Sequence, residues 1–134
     1  MSTTAGTPQG TVLLLDELDV IRKKFRSAVT DSGREVRRSP DKPGVTNLID
    51  ILAALTGEAS EAIEGRYGES GYGQFKQDVG EAVVEAVSPI QERYRELRAD
   101  PEELRRLLGV GAEKARETSA PTLAQMYERM GFVR

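Results

Sequence analysis

The 134-residue chain contains no cysteine and no histidine. Without cysteine there are no disulfides and no thiolate chemistry. Without histidine the commonest general base, the imidazole metal ligand and every Ser-His or Cys-His nucleophile pair are excluded. Long hydrophobic runs are missing too. No stretch approaches the ~20 apolar residues of a membrane-spanning helix, and Met1 is not followed by the basic-then-apolar pattern of a secretion signal. The expectation is a cytoplasmic chain with no membrane partner and no bound metal.

Charge is what the chain has in quantity. Charged residues make up 31% of it and the net charge is −3. Segment 22–42 departs from that balance. It holds eight basic residues (Arg22, Lys23, Lys24, Arg26, Arg34, Arg37, Arg38, Lys42) against three acidic ones (Asp31, Glu35, Asp41), so it is positive while the remainder is negative. Such asymmetry points to a polyanion partner for one part of the surface; the alternative is a solvated basic helix face.

Apolar periodicity predicts helices throughout. "TVLLL" (residues 11–15) is compatible with a strand or a buried extended segment. Asp16 reads as a helix N-cap, with Glu17 and Asp19 in the first turn. Leu18, Ile21, Phe25 and Ala28 recur at helical spacing, and the helix is expected to stop near residues 30–33. "GREVRRSPDKPG" has two prolines, two glycines and no apolar period, and reads as a loop. Leu48, Ile49, Ile51, Leu52 and Leu55 predict a central helix ending at Gly57. A short helix runs from Ser60 through Ile63 before "YGESGYGQ" breaks it. A longer helix starts near Tyr72, with a kink expected at Pro89. Asp100-Pro101-Glu102-Glu103 reads as a cap, a first-turn proline and an acidic first turn. A final stripe of Leu104, Leu107, Leu108, Ala112, Ala115, Leu123, Met126 and Met130 follows, with interruptions expected at Gly109, Gly111 and Pro121. The fold class is all-α, a bundle of about five helices.

Little in this pattern promises chemistry. Glu61 and Glu64, or Glu81 and Glu85, share helix faces, but with no histidine or apolar pocket beside them they read as solvated surface. Tyr67, Tyr72, Tyr94 and Tyr127 sit on or beside apolar stripes and are expected in or near the core. The glycines of "GESGYG" lack the preceding strand of a dinucleotide loop and read as a turn. The opening "MSTTAGTPQG" is a polar loop with no element before it, which suits either a disordered tail or a start inside something larger.

"IRKKFRSAVTDSG" followed by "KPGVTNLIDILAALTG" resembles the C-terminal part of bacterial tryptophanyl-tRNA synthetases, which are class I enzymes. "GYGQFKQDVGEAVVEAVSPIQERY", "LRRLLGVGAEKAR" and "MGF" agree in order and spacing, so the resemblance covers essentially the whole chain. It implies that "MSTT" stands where Met-Ser-Lys-Ser of the family's ATP loop would be. Met1 and Ser2 match, Thr3 replaces the lysine and Thr4 the final serine; members of the family vary at that lysine.

The resemblance further implies residues 1–15 as a remnant of the catalytic domain and 16–134 as a helical anticodon-binding domain. In the parent enzyme ATP with Mg²⁺, tryptophan and tRNA would be the partners and a homodimer the assembly. This part alone would hold no cofactor and no complete catalytic set. Lys23, Lys24, Arg26, Arg37, Arg38 and Lys42 are the candidate tRNA contacts; the alternative is that Lys23 and Lys24 face the missing domain or solvent. Two other functions compete: a free-standing RNA-binding or regulatory module derived from that domain, and a helical protein-interaction bundle.

Overall fold

The structure, a computed structural model, describes residues 7–68 and 70–132. Among these the regular elements are α1 (Leu18–Arg26), α2 (Pro43–Thr56), α3 (Ser60–Tyr67), α4 (Tyr72–Ala99) and α5 (Pro101–Met130), with no strand. The fold is all-α. The chain divides into two compact units, Met1–Glu92 and Arg93–Arg134.

The first unit is built around α2. Pro43 occupies its first turn, where a missing N–H costs nothing. Val45, Leu48, Ile49 and Leu52 follow at i, i+3, i+4 and i+7, and all four are buried. Gly57 ends the helix at φ 74°, a left-handed conformation that glycine reaches without a Cβ penalty. Around α2 stand Ile21 and Phe25 from α1, Ile63 and Tyr67 from α3, and Phe75, Val79 and Val84 from α4. Two glycines permit close approaches in this unit. A Cβ on Gly80 of α4 would lie 3.2 Å from Phe25 Cβ of α1, and one on Gly44 would overlap the Val29 carbonyl oxygen.

Several local expectations change. Asp16 does not cap α1; Glu17 precedes it without a capping side chain. The Asp16 carboxylate instead accepts from the Leu13 N–H (2.9 Å) and from Lys24 Nζ (2.5 Å), closing the turn at 13–16. The "TVLLL" stretch is neither strand nor buried: Leu13, Leu14 and Leu15 are 52–60% exposed. Hydrogen bonds to its backbone hold it in place. The buried Gln91 amide of α4 donates to the Leu14 and Asp16 carbonyls (2.9 and 2.8 Å), and Lys24 Nζ donates to the Thr11 carbonyl (2.6 Å).

Helix α1 stops at Arg26, a turn earlier than its apolar period suggests. The irregular segment that follows anchors itself with Val36, which is 1% exposed. Helix α3 runs on past Ile63 because Tyr67 is buried against Phe75, ring centroids 5.2 Å apart, and donates its hydroxyl to Asp78 (2.7 Å). Helix α4 continues through Pro89, which is exposed together with Glu85, whose carbonyl the proline deprives of an amide partner.

The second unit comprises the end of α4 and α5. The Asp100 side chain accepts from the Glu102 and Glu103 N–H groups (3.1 and 3.0 Å), as the cap pattern predicts. Helix α5 then runs without interruption through Gly109, Gly111 and Pro121 to a left-handed Gly131. No residue of α5 is buried; of its predicted stripe Leu104 and Ala112 are half-buried and the rest are exposed. Tyr94 and Tyr127 are correspondingly 43% and 37% exposed rather than in a core, whereas Tyr67 is buried and Tyr72 half-buried.

Gly44→Ala is expected to destabilise the chain by about 1–3 kcal/mol, because the added methyl displaces the backbone at Val29. Gly109→Ala, with open space around its Cβ, is expected to be neutral or stabilising. Chemical denaturation of the two variants side by side checks the contrast; equal effects would dismiss the close approach.

Candidate functional site

The basic surplus is spread over α1 and the irregular segment 27–42. Lys23 and Arg26 stand exposed on α1, and Arg34 is exposed in the segment; among the described residues none of the three has an ion pair or a side-chain hydrogen bond. Arg37 is also open, its side chain 57% exposed and 3.5 Å from the Glu35 carboxylate.

The other cations are engaged inside the chain. Arg22 reaches Glu81 of α4 through two nitrogens and Asp19 through a third, and both contacts raise its guanidinium above the ordinary arginine range, Glu81 most. Lys24 is only 17% exposed between Asp16 and the Thr11 carbonyl. That ammonium holds the Asp16 carboxyl below the usual range, helped by the Leu13 N–H. Arg38 pairs with Asp50 of α2 (3.1 Å), while its own N–H donates to Glu64 of α3 (2.7 Å).

Lys42 is the most enclosed of these cations, with 16% of its side chain exposed. Its Nζ donates to the Glu35 carbonyl (2.9 Å) and to the Tyr72 hydroxyl (3.2 Å). Tyr72, at the start of α4, donates in turn to the Asp31 carboxylate, both of whose oxygens lie 2.8 Å away. The Gly33 N–H donates to the same carboxylate (2.6 Å). The phenol therefore accepts from an ammonium and donates to a carboxylate, which uses both its capacities. Asp31 is held below the ordinary carboxylate range, chiefly by the Tyr72 hydroxyl. Lys42 is raised, chiefly by the same hydroxyl, and burial together with Asp31 raises Tyr72.

The candidate contacts thus fall into three classes. Lys23, Arg26 and Arg37 present open charge; Arg38 is half-engaged; Lys24 and Lys42 are turned to internal partners. From the sequence Glu81 reads only as a solvated carboxylate and Tyr72 only as a near-core aromatic, and neither these nor the partners Asp31 and Asp50 are paired with a cation. Only one of them had a local signal, the Asp-x-Gly of "TDSG", which suits a side chain accepting from the backbone two residues on.

Met1, Ser2, Thr3 and Thr4 lie outside the described residues. Among the described residues no group of three or more ligating side chains could hold a metal ion, and no helix is long and apolar enough to cross a membrane. A cleft of about 500 Å³ is lined by Val12, Phe25, Val29, Asn47 and Ile51 among others, with Lys24 at its wall. Neither it nor the cation cluster brings together a nucleophile and a base.

Stability should fall at low pH partly through Asp31. Its folded pKa lies below that of an ordinary aspartate, so its contribution is complete above the ordinary value and is lost as pH falls through the folded one. Asp31→Asn is expected to flatten the acid limb of a stability–pH curve; an unchanged limb would show that the Tyr72 contact does not bind the carboxylate preferentially.

The family described as "tRNA synthetases class I (W and Y)" matches residues 1–88. The chain is 46% identical to a tryptophan–tRNA ligase of Mycobacterium leprae, covering 99% of this chain and 39% of that protein. Against the tryptophan–tRNA ligase of Leifsonia xyli it is 48% identical, covering 99% of this chain and 40% of the relative. The crystal structure of tryptophanyl-tRNA synthetase from Mycoplasma pneumoniae superposes with a TM-score of 0.79 at 31% identity, covering 99% of this chain and 41% of that one. The chain therefore spans about two fifths of the length of these relatives.

Proposed function

The chain belongs to the class I tRNA synthetases of the W and Y type, and from that premise we propose that it is the tRNA-contacting helical part of a tryptophan–tRNA ligase. The similarity to such ligases along 99% of the chain carries this reading. The open cations of α1 and segment 27–42 support it. Phosphate attraction needs exposed, mobile or pre-oriented charge rather than charge already spent on carboxylates. Lys23, Arg26, Arg34 and Arg37 are the proposed direct contacts; Arg38, paired with Asp50, and Lys24 and Lys42 would have to leave their partners first.

In the complete enzyme the partners are tryptophan, ATP with Mg²⁺ and tRNA, and the enzyme works as a cytoplasmic homodimer. Residues 1–15 belong with the nucleotide-binding part, Met1 to Thr4 forming the end of its ATP loop, and residues 16–134 form the tRNA-binding domain. The runner-up is a free-standing RNA-binding module descended from that domain.

The test is binding of the 134-residue chain to a tryptophan-tRNA transcript across a salt series. Affinity is expected to fall steeply with salt. Replacing Lys23, Arg26 and Arg37 together by Gln should make the slope shallower by about 2–3. Binding that ignores salt, or a triple variant that binds like the parent, overturns the reading.

Activation chemistry, on this reading, resides in the three fifths of the relatives' length that the chain does not span. The chain alone is expected to give no tryptophan-dependent ATP–pyrophosphate exchange. Exchange by purified material free of host synthetase would refute that division of labour.

A further inference from the structure

The segment between α1 and α2 has sixteen residues of irregular backbone, yet both of its ends are tied to one phenol. Asp31 near its start and Lys42 at its end meet at the Tyr72 hydroxyl, with Gly33 and Glu35 joined through their backbone N–H and carbonyl. Between these ties Val36 is buried, and Arg34 and Arg37 point outward. A Cβ on Gly33 would come within 2.6 Å of Asp31 Oδ1 and 3.3 Å of both Lys42 Nζ and the Tyr72 oxygen, so a side chain there would displace the Asp31 carboxylate.

We propose that Lys42, Tyr72 and Asp31 form a latch that sets the conformation of loop 33–41, making Lys42 a positioning residue for Arg34 and Arg37 rather than a nucleic-acid contact. The proposal rests on the tRNA reading for its purpose, though not for its geometry. Its physical basis is the ordering cost of binding. A loop that presents two arginines in a fixed relation loses little freedom when they meet phosphates, whereas an unlatched one must be ordered at that moment. Engagement of the Lys42 ammonium by a carbonyl, a phenol and two carboxylates 3.9 Å away also leaves it few donors for an outside anion.

Tyr72→Phe is the informative variant, because it removes one oxygen from α4 and no charge. Its affinity for the tryptophan-tRNA transcript, the salt dependence of that affinity and amide hydrogen exchange across 31–42 are measured beside Lys42→Met and the double variant. The latch predicts that Tyr72→Phe weakens binding roughly tenfold with an unchanged salt slope. It predicts equal weakening by Lys42→Met and no further loss in the double variant. A direct phosphate contact predicts the reverse, with Lys42→Met shallower in slope by about one and Tyr72→Phe binding like the parent; that result overturns the proposal. Lower melting temperature in Tyr72→Phe with full affinity would make the cluster merely structural and also overturns it. Should the parent chain bind no tRNA, the functional reading fails, and exchange decides the latch. Faster exchange confined to 31–42 in Tyr72→Phe upholds it, and unchanged exchange sinks it.

Discussion

Everything in the first unit has to return to α2. Its four core side chains are 0–3% exposed, and α1, α3 and α4 each set their apolar faces against the same cluster. The approach to α2 is tight at its first turn, where the Val29 carbonyl passes over Gly44 at a distance that only a missing side chain permits. Beside it the Thr46 hydroxyl donates to the Ser39 carbonyl and accepts from the Ser39 N–H, both at 3.2 Å. A segment with no helix or strand of its own is thereby given a defined path, because a packed helix start demands it. Its arginines inherit that path.

The same constraint sorts the positive charge. Residues next to the core give their cations internal partners: Arg22 to Glu81, Lys24 to Asp16, Lys42 to Tyr72 and Asp31. Residues facing away keep theirs. Surface pairs of this kind add little to stability individually, but they do fix geometry and reduce the field that the sequence surplus alone would suggest. What remains for an outside anion is a smaller set of open charges on α1 and the following segment.

Much of this was legible in residue order. The i, i+3, i+4 spacing of Val45, Leu48, Ile49 and Leu52 announces α2 and its central place, and Asp100-Pro101 announces the start of α5. The matching motifs announce the family. What escaped has a common cause. Asp16 looks like a cap because its neighbours are helical, yet a lysine eight residues on competes for its carboxylate and wins. Leu13, Leu14 and Leu15 look buried because they are apolar, but hydrogen bonds from Gln91, more than seventy residues away, fix their backbone with the side chains outward. The Asp31–Tyr72 contact spans 41 residues and Arg22–Glu81 spans 59. Periodicity reports which face is apolar; it carries no information about which distant carboxylate neutralises a given cation.

Helix α5 carries a different consequence. Thirty residues without one fully buried side chain, with Leu104, Ala112 and Ala124 only half-buried, draw most of their order from the backbone ladder, the Asp100 cap and exposed pairs such as Glu103–Arg106. Such a helix obeys the cooperativity of a helix–coil polymer rather than that of a packed core, lengthening and fraying by single residues from its ends. Heating should therefore produce two superimposed events: a sharp loss of structure as the α2-centred core opens, and a broad, gently sloping loss of helicity with no single midpoint. A free energy fitted to the sum as one transition would describe neither part of the chain.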